Sequence, residues 1–406
     1  MNDHKYEVLS PAGDLECLKA AVSFGADAVY LAGTQFGMRT ASKNFTKEQL
    51  AEGIDFAHKH GARVHITCNV LPRSSELSEL PGFLQTAQEL GADAFIIADL
   101  GVLEMAKKYA PKVELHASTQ TGIVNYATAN VLFGMGVKRV VLARELSIAE
   151  IKEIRRNTPP ELEIETFVHG SMCVSFSGRC LISSYMTGRD ANRGDCAQPC
   201  RWKYHLYEEN RDGQYFPVEQ DDTGTYLYNS RDLCMIDHLP ELLEAGVKSL
   251  KIEGRAKSAY YTSVVTNAYA GAVRAYERDP EGYVLPQWAH DEVEKVSHRE
   301  YNTGFFFGTQ PGQQTGFGGY IRNYDVVAMC ESGGENESII TQRNKFLVGD
   351  TLDVLPPGEP SYEISVLGLK NESGEAVDSA PHAMERLTLI SDRHVKTGSF
   401  LRKKRS

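Results

Sequence analysis

Gly25-Ala26-Asp27-Ala28-Val29-Tyr30-Leu31 returns with substitutions three times: as Gly91-Ala92-Asp93-Ala94-Phe95-Ile96-Ile97, as Gly136-Val137-Lys138-Arg139-Val140-Val141-Leu142, and as Gly246-Val247-Lys248-Ser249-Leu250-Lys251-Ile252. In each, a glycine closes an amphipathic helical stretch and a short aliphatic, β-branched run follows. The glycine reads as a helix C-cap. The run reads as a strand buried on both faces, as strands of parallel sheets are when helices cover them.

Working outward, four more runs fit the same template: Tyr6–Ser10, Arg63–Asn69, Lys112–Ser118 and Leu162–His169. Helical stretches lie between them at Asp14–Phe24, Lys47–His60, Phe83–Leu90, Tyr126–Met135, Ser147–Arg156 and Leu239–Ala245, with Asp14 and Ser147 as N-caps. Eight β/α units match a TIM-type (β/α)8 barrel, an α/β fold of about 250 residues; a doubly wound open sheet is the alternative. In a barrel the residues just past each strand face the active-site end. Here these are Ser10-Pro11-Ala12-Gly13, Gly33, Asn69, Asp99, Ser118-Thr119-Gln120, Arg144-Glu145, His169-Gly170 and Glu253-Gly254-Arg255.

After a helix at Ala259–Glu277 the rhythm stops. Residues 286–319, rich in glycine, read as a linker. From residue 320 the pattern changes to short alternating runs at Asp325–Met329, Ser338–Gln342, Thr351–Leu355, Glu363–Leu367 and Arg386–Ile390. The expected organisation is a barrel over 1–285, carrying a cysteine-rich insertion at 170–234 between its seventh and eighth strands. A small antiparallel β-barrel follows over 320–406.

Composition narrows the class. The chain has 406 residues, of which 42% are hydrophobic and 24% charged, ordinary globular usage that argues against disorder, collagen or a coiled coil. A net charge of −11 excludes a uniformly basic nucleic-acid coat and leaves room for a local basic site. No run approaches about 18 uninterrupted apolar residues, so no membrane partner is expected. Met1-Asn2-Asp3-His4-Lys5 lacks the apolar core of a leader, and the eight cysteines are not spaced as a disulfide framework, so a reducing, cytoplasmic setting is expected.

Five cysteines, Cys173, Cys180, Cys196, Cys200 and Cys234, fall in or at the end of the long insertion, far above the usual two to six residues of a βα loop. Only Cys196 and Cys200 have the short spacing of a zinc knuckle. Scattered thiolates converging from separate loops suit an iron–sulfur cluster. Zinc and reduced structural cysteines stay open on spacing alone. Cys17, Cys68 and Cys330 sit in helical or strand runs and read as packing residues. Arg179, Arg189, Arg193, Arg201 and Lys203 outnumber Asp190 and Asp195 in the same loop, with Tyr185, Trp202 and Tyr204 as π-faces. Such a loop suits a flipped nucleobase and its phosphates, or is an ordinary solvated loop. The terminal Arg402-Lys403-Lys404-Arg405 reads as a phosphate contact or a frayed end.

No His-Glu-x-x-His, Gly-x-Ser-x-Gly, Walker loop or Gly-x-Gly-x-x-Gly after a strand is present, so familiar hydrolytic mechanisms find no support in the sequence.

The stretch Glu165-Thr166-Phe167-Val168-His169-Gly170-Ser171-Met172-Cys173, with Ser177-Gly178-Arg179-Cys180-Leu181-Ile182-Ser183, resembles the signature of the collagenase-like bacterial peptidase family. The resemblance extends to Leu9–Asp14, Gly188–Cys196, Cys200-Arg201-Trp202, Ser230–Cys234 and Lys251–Arg255, and covers essentially the whole chain. Length and layout resemble its tRNA-hydroxylating branch. The resemblance implies a 4Fe–4S cluster on Cys173, Cys180, Cys196 and Cys234, with Cys200 as a spare or substitute ligand. It also implies hydroxylation of tRNA at carbon-5 of wobble uridine 34, with prephenate as co-substrate. On this reading Arg144, His169, Glu253 and Arg255 are the catalytic candidates, and Arg144, Arg255 and His169 would hold the carboxylates of prephenate. Arg179, Arg189, Arg193, Arg201 and Trp202 would contact the nucleic acid. Two rivals stand beside it: a collagenase-like peptidase, and a non-catalytic RNA-binding or partner subunit of a hydroxylation complex. A paralogous subunit is left open as a partner.

Overall fold

The computed structural model describes residues 4–34, 36–37, 44–173, 175, 180–191, 195–202, 219–221, 224–226, 230–308 and 320–405. Strands β1 (Glu7–Pro11), β2 (Ala28–Leu31), β3 (Arg63–Cys68), β4 (Ala94–Ile97), β5 (Glu114–Ala117), β6 (Arg139–Val141) and β7 (Glu163–Ser171) pair successively in parallel. A hairpin of β8 (Glu219–Asp221) and β9 (Gly224–Tyr226) and then β10 (Asp232–Cys234) precede β11 (Ser249–Ile252). β11 pairs in parallel with both β7 and β1, which closes the eight-stranded sheet. The fold is therefore the (β/α)8 barrel, and the open doubly wound sheet is excluded.

Helices alternate with the strands: α1 (Leu15–Ser23), α2 (Lys47–Lys59), α3 (Leu80–Glu89), α4 (Leu100–Tyr109), α5 (Tyr126–Gly134), α6 (Ile148–Arg156), α7 (Ile182–Thr187), α8 (Leu239–Glu244), α9 (Ala259–Arg278) and α10 (Gln287–Val293). Gly25, Gly91, Gly136 and Gly246 lie at φ 97°, 92°, 95° and 91°, the left-handed region that lets the chain leave a helix and turn into the next strand. The aspartate of the phrase has its own task in two copies. Asp27 accepts the N–H of Val8 at 2.8 Å and Asp93 that of Val64 at 2.7 Å, so each carboxylate fastens the start of its strand to the strand before it. Ser147 caps α6 as expected, in a capping box with Glu150. The sequence reading passes over α4, because Gly101 near its start weakens the helical pattern. Asp99 is the N-cap of α4, accepting the Val102 N–H at 3.0 Å.

Alternate strand residues fill the barrel interior. Leu9, Ala28, Tyr30 and Ile96 form one apolar cluster. Close by in the strands lies a buried charged network. Arg139, fully buried, contacts Glu7, Glu163 (2.8 Å) and Glu165 (3.1 Å), while Lys251 donates to Glu165 at 2.8 Å and Ser249 to Glu7 at 2.8 Å. Most of these residues sit at the N-terminal ends of their strands, opposite the active-site end, where barrel side chains serve stability.

Beyond the barrel strands, β12 (Tyr301–Asn302) is followed by β13 (Tyr324–Ser332), β14 (Glu337–Gln342), β15 (Phe346–Leu347), β16 (Thr351–Leu355), β17 (Tyr362–Lys370), β18 (Ala376–Val377), β19 (Ser379–Ala380), β20 (Arg386–Ser391) and β21 (Phe400–Lys404). Six of them close as β16-β21-β13-β14-β20-β17, with β17 returning to β16, all antiparallel. This is the small β-barrel expected, with a sixth strand from the tail. That corrects the reading of Arg402–Arg405 as a frayed or phosphate-contacting end. Arg402 is fully buried, bonded to Glu292 (2.9 Å from Nη2) and Asp353 (3.1 Å), because apolar Phe400 and Leu401 carry the segment into the sheet. Lys403 pairs with Asp350 and Arg405 with Asp325.

By packing, the chain forms two compact units. One comprises Met1–Leu15, Asp27–Ala256 and Arg299–Tyr320, the other Glu16–Ala26, Lys257–His298 and Ile321–Ser406. These borders follow contacts and not the sequence rhythm, so they differ from 285 and 320. Within 286–319 the described residues include α10 and β12, while 309–319 lie outside the described residues. No helix among the described residues is long and apolar enough to cross a membrane.

Candidate functional site

The first unit carries the site. β7 runs past its barrel neighbours through His169-Gly170-Ser171, and β10 folds back antiparallel along this extension, with Cys234 opposite His169, Leu233 opposite Gly170 and Asp232 opposite Ser171. β12 adds a third strand, parallel to β10, with Tyr301 opposite Asp232. Arg299, 4% exposed, holds this strand in place. Its backbone N–H and its guanidinium donate to Asp232 at 3.1 and 3.4 Å, and Asp232 is itself 3% exposed.

The extension buries His169, whose ring packs against Tyr301 with centroids 5.2 Å apart and the tyrosine oxygen 3.4 Å from Nε2. The backbone N–H of Glu253 donates to the His169 carbonyl at 2.8 Å, tying the ends of β11 and β7 together. Arg144, just past β6, spans the same place: Nη1 donates to the Ser171 carbonyl at 2.7 Å and Nη2 to Glu253 at 3.4 Å, and its guanidinium carbon lies 3.8 Å from the centroid of Phe167. Arg255 donates to Thr67 at 3.2 Å and Asn44 at 3.0 Å. Its carbonyl comes so close to Gly13 that a side chain there would meet it at 2.2 Å, which explains the glycine in the opening Ser10–Gly13 turn. Arg144, His169 and Glu253 are thus linked in one network, whereas Arg255 is held on its own partners.

Cys173 follows the end of β7. Burial pushes its thiol up, against a hydrogen bond from the backbone N–H of Ser175 and the charge of Arg144, while Cys180 and Cys196 push it the same way as burial. Cys180, Cys196 and the Arg144 guanidinium are therefore each within electrostatic reach of the Cys173 thiol. Two braces hold their arms: Ser183 on α7 accepts the Ala197 N–H at 3.0 Å, and Arg189 pairs with Asp195 at 2.7 Å. Cys196 accepts the Gln198 N–H at 3.3 Å. Ser230 donates to the Met172 carbonyl at 2.8 Å, so the arm ending in Cys234 is fastened beside Cys173. Cys200 lies on the short turn Pro199–Arg201. The chemistry of this donor set fits a thiolate-bound group, although among the described residues no three His, Cys, Asp or Glu side chains are already arranged about one ion position. Cys17, Cys68 and Cys330 are buried in packing positions, as expected. Burial pushes Cys330 up to about 11.

Of the expected nucleic-acid contacts, Arg189 and Trp202 are exposed on this loop; Arg179, Arg193 and the side chain of Arg201 lie outside the described residues. Tyr185 is 86% exposed on α7. The sequence reading missed Tyr301, Phe167, Asp232 and Arg299 as parts of the site. Only Asp232 and Phe167 stood within quoted motifs.

Comparison with known proteins matches the chain to Peptidase family U32 over residues 13–316 and to the Peptidase family U32 C-terminal domain over 322–402. It is 36% identical to tRNA hydroxylation protein P1 of Bacillus subtilis across 98% of this chain and 95% of that protein. It is 34% identical to tRNA hydroxylation protein P of Escherichia coli across 93% of this chain and 92% of that one. A Methanocaldococcus jannaschii protein named an uncharacterized protease is 44% identical across 74% of this chain and 73% of its own length.

Proposed function

The chain belongs to peptidase family U32, and from that premise we propose that it is an RNA-hydroxylating enzyme acting on tRNA. The observation that carries this reading is the set of cysteine-bearing arms fastened at the end of β7, with Cys234 opposite His169, Ser230 bonded to the Met172 carbonyl and Ser183 bonded to Ala197. Full-length similarity to two proteins named for tRNA hydroxylation supports the substrate class. Family membership alone would not, since one fold hosts many chemistries.

In the finer form of the proposal, Cys173, Cys180, Cys196 and Cys234 hold a 4Fe–4S cluster, with Cys200 able to substitute for one of them. The target is carbon-5 of uridine 34, and prephenate is the co-substrate. When bound, such a cluster supplies electron-transfer chemistry that side chains lack. The protein's own residues bind and orient. Arg189 and Trp202 meet the RNA, and buried His169 with half-buried Tyr301 forms a wall beside Cys234. Arg255 meets a carboxylate of prephenate only by exchanging its bonds to Thr67 and Asn44.

Anaerobic purification with iron, sulfide and zinc analysis, combined with tRNA nucleoside analysis in a deletion strain, tests it. The expected result is iron and sulfide in cluster ratio and loss of 5-hydroxyuridine derivatives. Zinc alone with unchanged tRNA would overturn it. Cleavage of denatured collagen by metal-free protein would favour the peptidase reading.

A further inference from the structure

The geometry of Arg144 points to a stacking shelf for a pyrimidine base, an inference that rests on the RNA reading above and assigns the residue that receives the base. Both ends of the guanidinium are already held by the protein, Nη1 by the Ser171 carbonyl at 2.7 Å and Nη2 by Glu253 at 3.4 Å. A free carboxylate seeking two parallel N–H groups finds this fork engaged. One side of the guanidinium lies 3.8 Å from the centroid of Phe167, a ring only 6% exposed and therefore fixed. Arg144 keeps 14% of its side chain exposed, its ends are tied and Phe167 lies against it, so on this proposal a base meets the guanidinium on the face away from Phe167. Planar guanidinium groups stack unpaired bases, and an ammonium cannot replace them because it has no plane.

The neighbours fit this role. Ser171, which orients one end, is two residues before Cys173, and the Arg144 charge is felt at the Cys173 thiol. A base on the shelf therefore lies beside the thiol group. Phe167 also lies 5.5 Å from the Lys251 ammonium, which in turn is held by Glu165 at 2.8 Å, so the ring that supports the shelf is anchored on the buried charged network. Arg144 would act on the base by stacking and not on the backbone phosphate.

A binding cycle separates these roles. Anaerobically purified full-length wild type, Arg144→Lys and Phe167→Leu are titrated with a synthetic anticodon stem-loop carrying uridine 34, and with the same stem-loop abasic at that position. The expected result is about tenfold weaker binding of the uridine stem-loop by both variants, the scale of one lost base stack. The abasic stem-loop should bind all three proteins alike. An equal loss on both stem-loops for Arg144→Lys would assign Arg144 to the phosphate and overturn the shelf. No loss on either would overturn it as well. Wild type that binds neither stem-loop would instead sink the RNA reading itself. Thermal melting of each variant checks that Phe167→Leu is folded, and Arg144→Lys, at a partly exposed site, carries the test independently.

Discussion

Cys234 and His169 face each other as register partners across β10 and β7, although 64 residues of chain lie between them. The antiparallel return of β10 along the extended end of β7 is what brings an insertion cysteine to the barrel mouth. Ligand exchange should therefore discriminate among the cysteines. Cys234→Ser is expected to lose most bound iron and visible absorbance after anaerobic purification, and Cys200→Ser to keep most of both. Equal retention in the two variants would remove Cys234 from the ligand set.

Asp232 and Arg299 form the buried ion pair that fastens β12 to β10. Removing one partner strands the other charge, at a cost of about 3–5 kcal/mol. Arg299→Met should lower the urea midpoint accordingly. The double change Arg299→Met, Asp232→Leu should recover much of it, because no buried charge is then left unpaired. Urea titration of the three proteins measures this, and an unchanged midpoint in the single variant would show that the pair is not buried in solution.

The glycine phrases are legible in the sequence because a left-handed C-cap and a doubly buried strand both constrain residue type strongly. β10 and β12 are not legible, since strands of three and two residues carry no periodicity, and their position depends on Arg299 finding Asp232 from 67 residues away. Arg139 looks like a solvated charge inside an apolar phrase. Its burial depends on Glu7, Glu163 and Glu165, which belong to other strands and cannot be assigned to it without the barrel. The thiol group is half legible: motif spacing marks the cysteines, and only the braces at Ser183, Asp195 and Ser230 show which arms meet. Tyr301 gives no local signal at all.

Acid lability follows from two buried histidines. His65 and His116 stack edge to face at 4.9 Å, and neither ring nitrogen of His65 has a hydrogen-bond partner. Burial holds both well below the ordinary histidine range. At His65, Glu7 opposes this while His116, Arg139 and Arg63 reinforce it. At His116, Arg139, Arg63 and Lys251 reinforce it against Glu7. Both rings are neutral when folded and protonate on unfolding, so their contribution is complete above about pH 6.5 and falls as the pH drops below it. The loss is up to about 1.4 kcal/mol per pH unit for each ring. Glu7 adds a second loss at lower pH. Burial alone would raise its carboxyl, but the Arg139 and Arg63 guanidinium groups hold it well below the ordinary range, so its stabilisation is lost only as the pH falls below about 4.5. Urea unfolding at pH 7.5, 6.5 and 5.5 should show stability falling mainly across the last interval. His65→Leu should flatten that fall, and an unchanged slope in the variant would show that His65 does not titrate on unfolding.

The terminal basic residues bear on the second unit's stability more than on RNA. Arg402 lies inside, against Glu292 and Asp353, with Tyr260 at 3.2 Å, and burial pushes the Tyr260 hydroxyl up to about 12 despite the nearby guanidinium. Arg402→Met leaves Glu292, 1% exposed, with Lys295 at 3.4 Å as its cation among the described residues. The expected cost is about 3–5 kcal/mol. Arg405→Ala removes an exposed pair with Asp325 and should cost under about 1 kcal/mol. Truncation after Ser399 deletes β21 and opens the six-stranded barrel between β13 and β16, leaving two unpaired edges, and should unfold that unit or make it aggregate. Thermal melts of the three proteins give the order. If Arg402→Met and Arg405→Ala melt alike while the salt dependence of tRNA binding drops in both, the tail is a phosphate contact after all and the buried strand is not its state in solution.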